Sequence, residues 1–233
     1  MIDLGATDFF IDVPSMPRHE FEKYSTQLFD EWVAHVDRIL ELPDYSLSLE
    51  IEEGSVKGAG KIAILLSALY FGIGNYGDFI SGLQTIREQV NSVGDFLAEQ
   101  ASNPFGSKGR ETKIRKRGGA LGQIQRLFNK VQLREITVEE AMREAELIIG
   151  EEAKDNPEFM RELNNSLKET PRFPEQLPLL DTTEQDAELH LGEKQKRSRS
   201  PRQMPIAPPS NQFRVEIWRD SKKGQRKVRV VQL

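Results

Sequence analysis

Residues 46–79, SLSLEIEEGSVKGAGKIAILLSALYFGIGNYGDF, decide how the fold of this chain is interpreted. The first part, SLSLEIE, alternates apolar and polar residues, which predicts a half-buried β-strand. A glycine-rich turn ending at Gly60 follows, and the apolar residues beyond it predict one long apolar helix over residues 62–83. The order of strand, glycine-rich turn and helix occurs both in phosphate-binding loops and in strands that precede a membrane-seeking helix.

The spacing and residue types of this stretch do not fit a phosphate-binding P-loop. That motif is G-x-x-x-x-G-K-[ST], because the loop length sets how backbone N–H groups surround the phosphates and the hydroxyl holds magnesium. Here five residues separate Gly54 from Gly60, and Ile62 occupies the hydroxyl position. The predicted apolar helix therefore needs a different explanation.

Two interpretations of the apolar helix remain open. The uncharged residues 62–77 would span about 24 Å as a helix, whereas the hydrocarbon core of a bilayer is about 30 Å thick. Small side chains at helical spacing allow helices to associate closely, and a carboxylate beside them would face a polar path. These residues are Ala63, Ser67, Ala68, Gly72 and Asp78. A self-associating membrane segment and a buried helix of a soluble core both fit this pattern.

The rest of the sequence predicts an α+β fold with a small mixed or antiparallel sheet, several helices and a C-terminal β-hairpin. A strand is predicted at residues 8–13, and apolar residues at helical spacing predict a helix over 19–42. Thr137-Val-Glu-Glu has the spacing of a capping box, which predicts the start of another helix. Residues 213–218 and 226–231 flank DSKKGQ as a hairpin, and we expect it to extend the sheet because an isolated hairpin is marginal in water.

These elements divide the chain into five predicted segments. In order, they are an N-terminal β-α-β part (1–56), an apolar and membrane-inserting helical segment (57–100), a helical region (108–180), a flexible linker (181–212) and a basic hairpin (213–233).

Charge is distributed in blocks along the chain. The net charge is -5, yet residues 1–53 carry thirteen acidic and three basic groups, and residues 194–229 carry twelve basic and two acidic groups. Two basic clusters predict binding of an anion or of nucleic acid, because one precedes a helix N-terminus and the other surrounds a hairpin with an aromatic residue. Their members are Lys113, Arg115, Lys116, Arg117, Lys222, Lys223, Arg226 and Lys227. The alternative is that opposite blocks neutralise each other within the fold or between protomers.

No enzyme motif is found in the sequence. The chain has no cysteine and three histidines, and the histidine spacings of zinc hydrolases and the G-x-S-x-G of serine hydrolases are missing. We therefore predict a non-enzymatic protein without a metal or cofactor. The absence of cysteine, together with an N-terminus unlike a signal peptide, favours a cytoplasmic location.

The stretch LEIEEGSVKGAGKIAILLSALYFGIGNYGDF joins a strand, a Gly-Ser turn and an apolar helix. In this it resembles small membrane-active effector proteins of bacterial anti-phage defence systems, in which a soluble sensing part controls a short apolar helix that compromises the inner membrane. The resemblance covers mainly residues 46–100. It implies a homo-oligomeric, pore-like effector at the inner membrane, controlled by a ligand such as an oligonucleotide at the basic clusters.

The alternative function is a soluble α+β assembly or binding module. In this interpretation the apolar helix belongs to the core, and the basic C-terminal hairpin contacts a partner protein or nucleic acid.

Overall fold

The computed structural model describes residues 1–13, 15–54, 56–74, 78–105, 113–171 and 212–233. The strands in this part of the chain are β1 (Ile2–Ile11), β2 (Ser46–Glu52), β3 (Val56–Ile64), β4 (Lys113–Arg117), β5 (Phe213–Arg219) and β6 (Lys227–Gln232). The helices are α1 (Arg18–Ile39), α2 (Leu66–Ile73), α3 (Phe79–Ser102), α4 (Gly119–Gln132), α5 (Val138–Ile149), α6 (Glu152–Asp155) and α7 (Pro157–Glu169). The predicted α+β class is confirmed.

The six strands form one antiparallel sheet in the order β4-β1-β3-β2-β5-β6. β5 and β6 form the predicted hairpin, and β5 pairs with β2, so the hairpin does extend the sheet. The predicted helix over 19–42 is confirmed as α1, and the capping box of α5 is present at Thr137. The basic residues 113–117, predicted to precede a helix N-terminus, form the edge strand β4. The predicted linker lies outside the described residues, apart from Gln212.

One face of the sheet packs against helices. α3 and α4 lie against β1, and α1 lies against β2 and β5. The indole N–H of Trp32 in α1 donates to the carbonyl of Val93 in α3 at 3.1 Å, which joins these two helices inside the core. α5 packs on α4, and α7 packs on α3 and α5. The covered face of the sheet therefore belongs to a continuous hydrophobic core.

β3 requires glycine at two positions on this covered face. A Cβ added at Gly58 would lie 2.0 Å from the ring of Phe9, and one added at Gly60 would lie 2.2 Å from Leu97. The space above these glycines is already filled by large side chains. The two glycines therefore belong to a strand whose backbone packs closely against core side chains.

The prediction of one long apolar helix over residues 62–83 is wrong. The first three of these residues end β3, α2 covers Leu66–Ile73, and α3 begins at Phe79 after an N-cap at Asp78. The physical reason is the burial period of two in β3, where buried and accessible side chains alternate from Val56 to Ile64. Among the described residues, no helix is long and apolar enough to cross a membrane.

The C-terminal hairpin is fixed to α1 and β2 by a polar network. Arg219, which is 6% exposed, donates from both Nη atoms to Asp37, at 2.8 and 3.2 Å. The hydroxyl of Tyr45 donates to the same carboxylate. Partial burial raises the pKa of Asp37, but hydrogen bonds from Arg219 and Tyr45 outweigh this and leave the pKa below its ordinary value. The network holds the end of β5 in place.

Candidate functional site

The second face of the sheet leaves its side chains accessible. In β2, β3 and β5, buried residues alternate with residues that are half-buried or exposed, and the latter share this second face. β4 is exposed along its whole length. We call this surface the accessible face.

Cross-strand pairing orders the accessible face into rows. One row contains Lys113, Phe10, Lys57, Glu52, Arg214 and Val231. The next contains Arg115, Asp8, Ala59, Glu50, Glu216 and Arg229. Directly opposed side chains lie close enough to interact, so these rows determine which groups can contact one ligand.

A depression lies in these two rows on the β4 side of the sheet. Its volume is about 430 Å³, within the range of ligand sites of roughly 300–1,000 Å³. The small residues Gly58 and Ala59 lie in it, and the longer side chains of the neighbouring strands surround them. Its lining consists of Asp8, Phe9, Phe10, Glu50, Glu52, Lys57, Gly58, Ala59, Lys113, Ile114, Arg115 and Arg214. We call it the β3 depression.

The ionic pairing in the β3 depression leaves positive charge available. Glu52 is bound by Arg214, and this hydrogen bond raises the pKa of the guanidinium further although partial burial opposes it. Among the described residues, Lys57, Lys113 and Arg115 have no ion pair. Three cations therefore surround the depression without a compensating carboxylate in contact.

Two carboxylates complete the charge pattern of the β3 depression. Asp8 accepts from Arg117 at 2.7 Å, so its charge is already compensated. Glu50 has no hydrogen bond within the described residues and lies in the electrostatic field of Arg214. It faces Glu216 directly across the strand pair, and like charges in this arrangement repel each other. The free acceptor capacity of the depression is therefore concentrated at Glu50.

Two members of the predicted basic cluster in β4 line the depression and two do not. Lys113 and Arg115 line it, whereas Lys116 binds Asp95 in α3 at 2.6 Å. Arg117 is bound to the carboxylate of Asp8. Lys116 points to the opposite face from Lys113 and Arg115, because alternate residues of a strand point to opposite faces. Arg117 shares their face and differs from them by its ion pair with Asp8, a partner distant in sequence.

Most side chains of the second predicted basic cluster make contacts with other residues of the fold. Lys222 donates from Nζ to the carbonyl of Leu42 at 3.2 Å and lies 5.5 Å from the ring centroid of Tyr45. Arg226 binds Asp30, and Lys227 binds Asp220. Lys223 is exposed and has no ion pair among the described residues. Of these four side chains, Arg226 is therefore neutralised by the acidic N-terminal block, as the charge blocks suggested, and Lys227 is neutralised within its own block.

The two basic clusters do not form one site. β4 and β6 are the opposite edges of the sheet, separated by five strand spacings, which is about 24 Å. The β3 depression and the basic hairpin are therefore two separate candidate sites.

The residues predicted for membrane insertion and self-association lie in different elements. Ala63 is in β3, Ser67 and Ala68 are in α2, and Gly72 packs against Leu42. Because Ala63 belongs to a strand, the five residues do not share one helix face.

Asp78, the remaining member of that group, is the N-cap of α3. Its carboxylate accepts from the backbone N–H of Ser81 at 2.8 Å, and this hydrogen bond is the main reason why the pKa of Asp78 is lowered. The exposed carboxylate therefore stays ionised down to acidic pH.

Sequence reasoning missed Phe10 and Lys57 as candidate ligand residues. Phe10 is half-buried on the accessible face and directly opposes Lys113 on one side and Lys57 on the other. The alternation Lys57, Ala59, Lys61 in β3 was the signal that could have placed these lysines on one face.

Comparison of the chain with protein-family models, curated proteins and solved structures finds no match. Its function is therefore argued from the accessible face itself.

Proposed function

We propose that this protein binds single-stranded nucleic acid in the β3 depression of its sheet. The observation that carries this proposal is the group of three cations, Lys57, Lys113 and Arg115, which have no ion pair among the described residues and lie around the aromatic ring of Phe10. Phosphates need cations, and unpaired bases need an aromatic surface on which to stack. The depression offers both within two adjacent rows of one sheet.

Each group has a specific role in this proposal. Lys57 and Lys113 contact phosphate oxygens as point charges, and the planar guanidinium of Arg115 contacts a phosphate through two parallel hydrogen bonds. A base stacks on Phe10, and Glu50 accepts a hydrogen bond from an exocyclic amino group. The small side chain of Ala59, on the accessible face of β3, leaves room for the base between the long side chains.

A single strand fits this surface better than a duplex. Stacking on a protein side chain requires a free base face, and in a duplex the faces are covered by neighbouring bases. The charged side chains also lie on a sheet face, where an unpaired strand can cross several β-strands. We therefore expect stronger binding to an unstructured oligonucleotide than to a duplex of the same sequence.

The membrane-associated effector stays a prediction from the resemblance. It depended on a continuous apolar helix over residues 62–83, which the fold divides between a strand and two helices. The proposal shares nucleic-acid binding with the alternative interpretation of a soluble binding module, but it places the ligand in the β3 depression and not on the basic C-terminal hairpin.

Fluorescence anisotropy with a labelled oligocytidylate, whose bases carry the exocyclic amino group proposed to donate to Glu50, tests the proposal. The Lys113→Ala/Arg115→Ala double variant removes two proposed phosphate contacts, so we expect weaker binding and a salt dependence reduced by about 1.4 in log–log slope, roughly 0.7 for each contact with a single strand. Phe10→Ala should weaken binding by about 1–3 kcal/mol while leaving the salt slope unchanged, because it removes stacking only.

A matched control uses basic residues of the helical layer. Lys154 and Arg161 are exposed, and neither has an ion pair among the described residues. The Lys154→Ala/Arg161→Ala variant makes the same change in net charge away from the sheet. Equal losses of binding affinity in the two double variants would show that only the net charge of the protein matters. This result would refute a site in the β3 depression.

A further inference from the structure

A second concave surface lies in the helical layer, between α2 and the start of α7. Its volume is about 870 Å³. Phe159 lies among its aromatic residues and makes edge contacts with Tyr70 at 6.2 Å and with Phe79 at 5.1 Å between ring centroids. Phe71 is 71% exposed, which is unusual for a phenylalanine. We call this surface the acidic groove because the charged residues that line it are carboxylates.

The charged residues that line the acidic groove are all carboxylates. They are Asp78, Asp155, Glu158 and Glu162, and no lysine or arginine is among the described lining residues. None of the four has an ion pair within the described part of the chain. The hydrogen bond from Ser81 lowers the pKa of Asp78, so this carboxylate is negative at neutral pH. The groove therefore combines an aromatic surface with uncompensated negative charge.

The aromatic surface and the negative charge of the groove together determine which kind of ligand can bind there. Negative charge excludes nucleic acid and other polyanions from the groove. A cationic segment with aliphatic side chains is favoured, because lysine and arginine place their methylene stems on aromatic rings and their charged ends near carboxylates.

The chain carries a surface of this chemistry on its own hairpin. Lys223 and Arg229 are exposed and have no ion pair among the described residues. Val228 is 47% exposed and Leu233 is 53% exposed, so the hairpin also presents apolar groups to solvent. Among the described strands, β6 is also an edge strand, paired only with β5.

We propose that the acidic groove of one copy binds the β5–β6 hairpin of a second copy. The two complementary surfaces belong to different elements of the same chain, so the contact is heterologous, and a bound pair of copies keeps one groove and one hairpin free. Such contacts produce rings or open chains instead of a closed two-fold dimer. This proposal is independent of nucleic-acid binding, because the hairpin cations and the groove lie outside the β3 depression.

Sedimentation velocity of the purified full chain, at increasing protein concentration and at two salt concentrations, tests this contact. We expect species larger than the monomer at low salt and dissociation at high salt. The groove variant Glu158→Gln/Glu162→Gln and the hairpin variant Lys223→Gln/Arg229→Gln should each weaken assembly by about tenfold or more in dissociation constant. All four positions are accessible to solvent, and circular dichroism checks that both variants remain folded.

A mixture of the two variants gives the decisive result. The groove variant retains an intact hairpin, and the hairpin variant retains an intact groove, so a heterologous contact predicts a discrete heterodimer that neither variant forms alone. A wild-type chain that stays monomeric at every concentration would overturn the proposal. Assembly of the variants at wild-type affinity, or the absence of a heterodimer in the mixture, would overturn it equally.

Discussion

Removing the carboxylate of Asp37 should destabilise the protein strongly although this residue lies near the surface. The guanidinium of Arg219 is buried, and in Asp37→Ala it would lose both of its hydrogen bonds to this carboxylate and its only ion pair among the described residues. Breaking a buried ion pair costs about 3–5 kcal/mol. The side chain of Asp37 is 36% exposed, so solvent screens part of the interaction, and we expect about 3 kcal/mol.

Urea denaturation followed by circular dichroism measures this loss. With a slope of about 3 kcal/mol per M, the unfolding midpoint should fall by about 1 M. Asp30→Ala is the matched control, because Asp30 also binds an arginine of the hairpin, Arg226, but both partners are well exposed and the pair should contribute at most about 1 kcal/mol. The double variant Asp37→Ala/Arg219→Met should recover much of the loss, because no buried charge is left unpaired.

The contribution of Asp37 to the stability of the fold changes with pH in a defined direction. Because the folded-state pKa of Asp37 lies below its ordinary value of 3.8, the stabilisation is fully present above that value and is lost as the pH falls through the lower folded value. The stability difference between wild type and Asp37→Asn should therefore be constant near neutral pH and should shrink below pH 3.8. A loss in Asp37→Ala no larger than in Asp30→Ala would refute the role of this network.

Four further substitutions test the fold. Gly60→Ala places a Cβ 2.2 Å from Leu97 and should lower the free energy of unfolding by about 1–3 kcal/mol, whereas Gly122→Ala, which meets no atom within 4 Å, should be neutral or stabilising in the same urea titration. Thr137→Ala removes the N-cap of α5 and should cost about 1 kcal/mol in thermal unfolding. Ile64→Asp places a carboxylate at a fully buried strand position and should abolish folding, seen as loss of the cooperative transition. An Ile64→Asp protein that is soluble and as stable as wild type would contradict the assignment of β3.

The strand β3 shows why part of the fold could not be predicted from sequence. Its buried positions are Val56, Gly58, Gly60, Ile62 and Ile64. Two of the five are glycines, which hide the period of two because glycine is not recognised as apolar. The reason for them is tertiary, since Phe9 and Leu97 from distant parts of the chain fill the space above them.

The candidate site could not be predicted fully from the sequence either, because it depends on contacts between residues that are distant in the chain. The basic character of residues 113–117 was clear from sequence, but their strand conformation was hidden because every residue of β4 is exposed. The partners Asp8 and Asp95, which neutralise two of these side chains, are distant in sequence and could not be identified without the fold. In contrast, β2, α1 and the first strand of the hairpin, β5, follow from local patterns, because each has a continuous burial period of its own.

Photocrosslinking of a uridine-containing oligonucleotide to the wild-type protein, with the modified residues located by mass spectrometry, tests the central claim most directly. If the β3 depression binds a single strand, adducts will occur in β1, β3 and β4, with Phe10 among the modified residues, and excess unlabelled oligonucleotide will suppress them. Adducts confined to the helices or to the hairpin, with β1 and β3 unmodified, would contradict the assignment of the site.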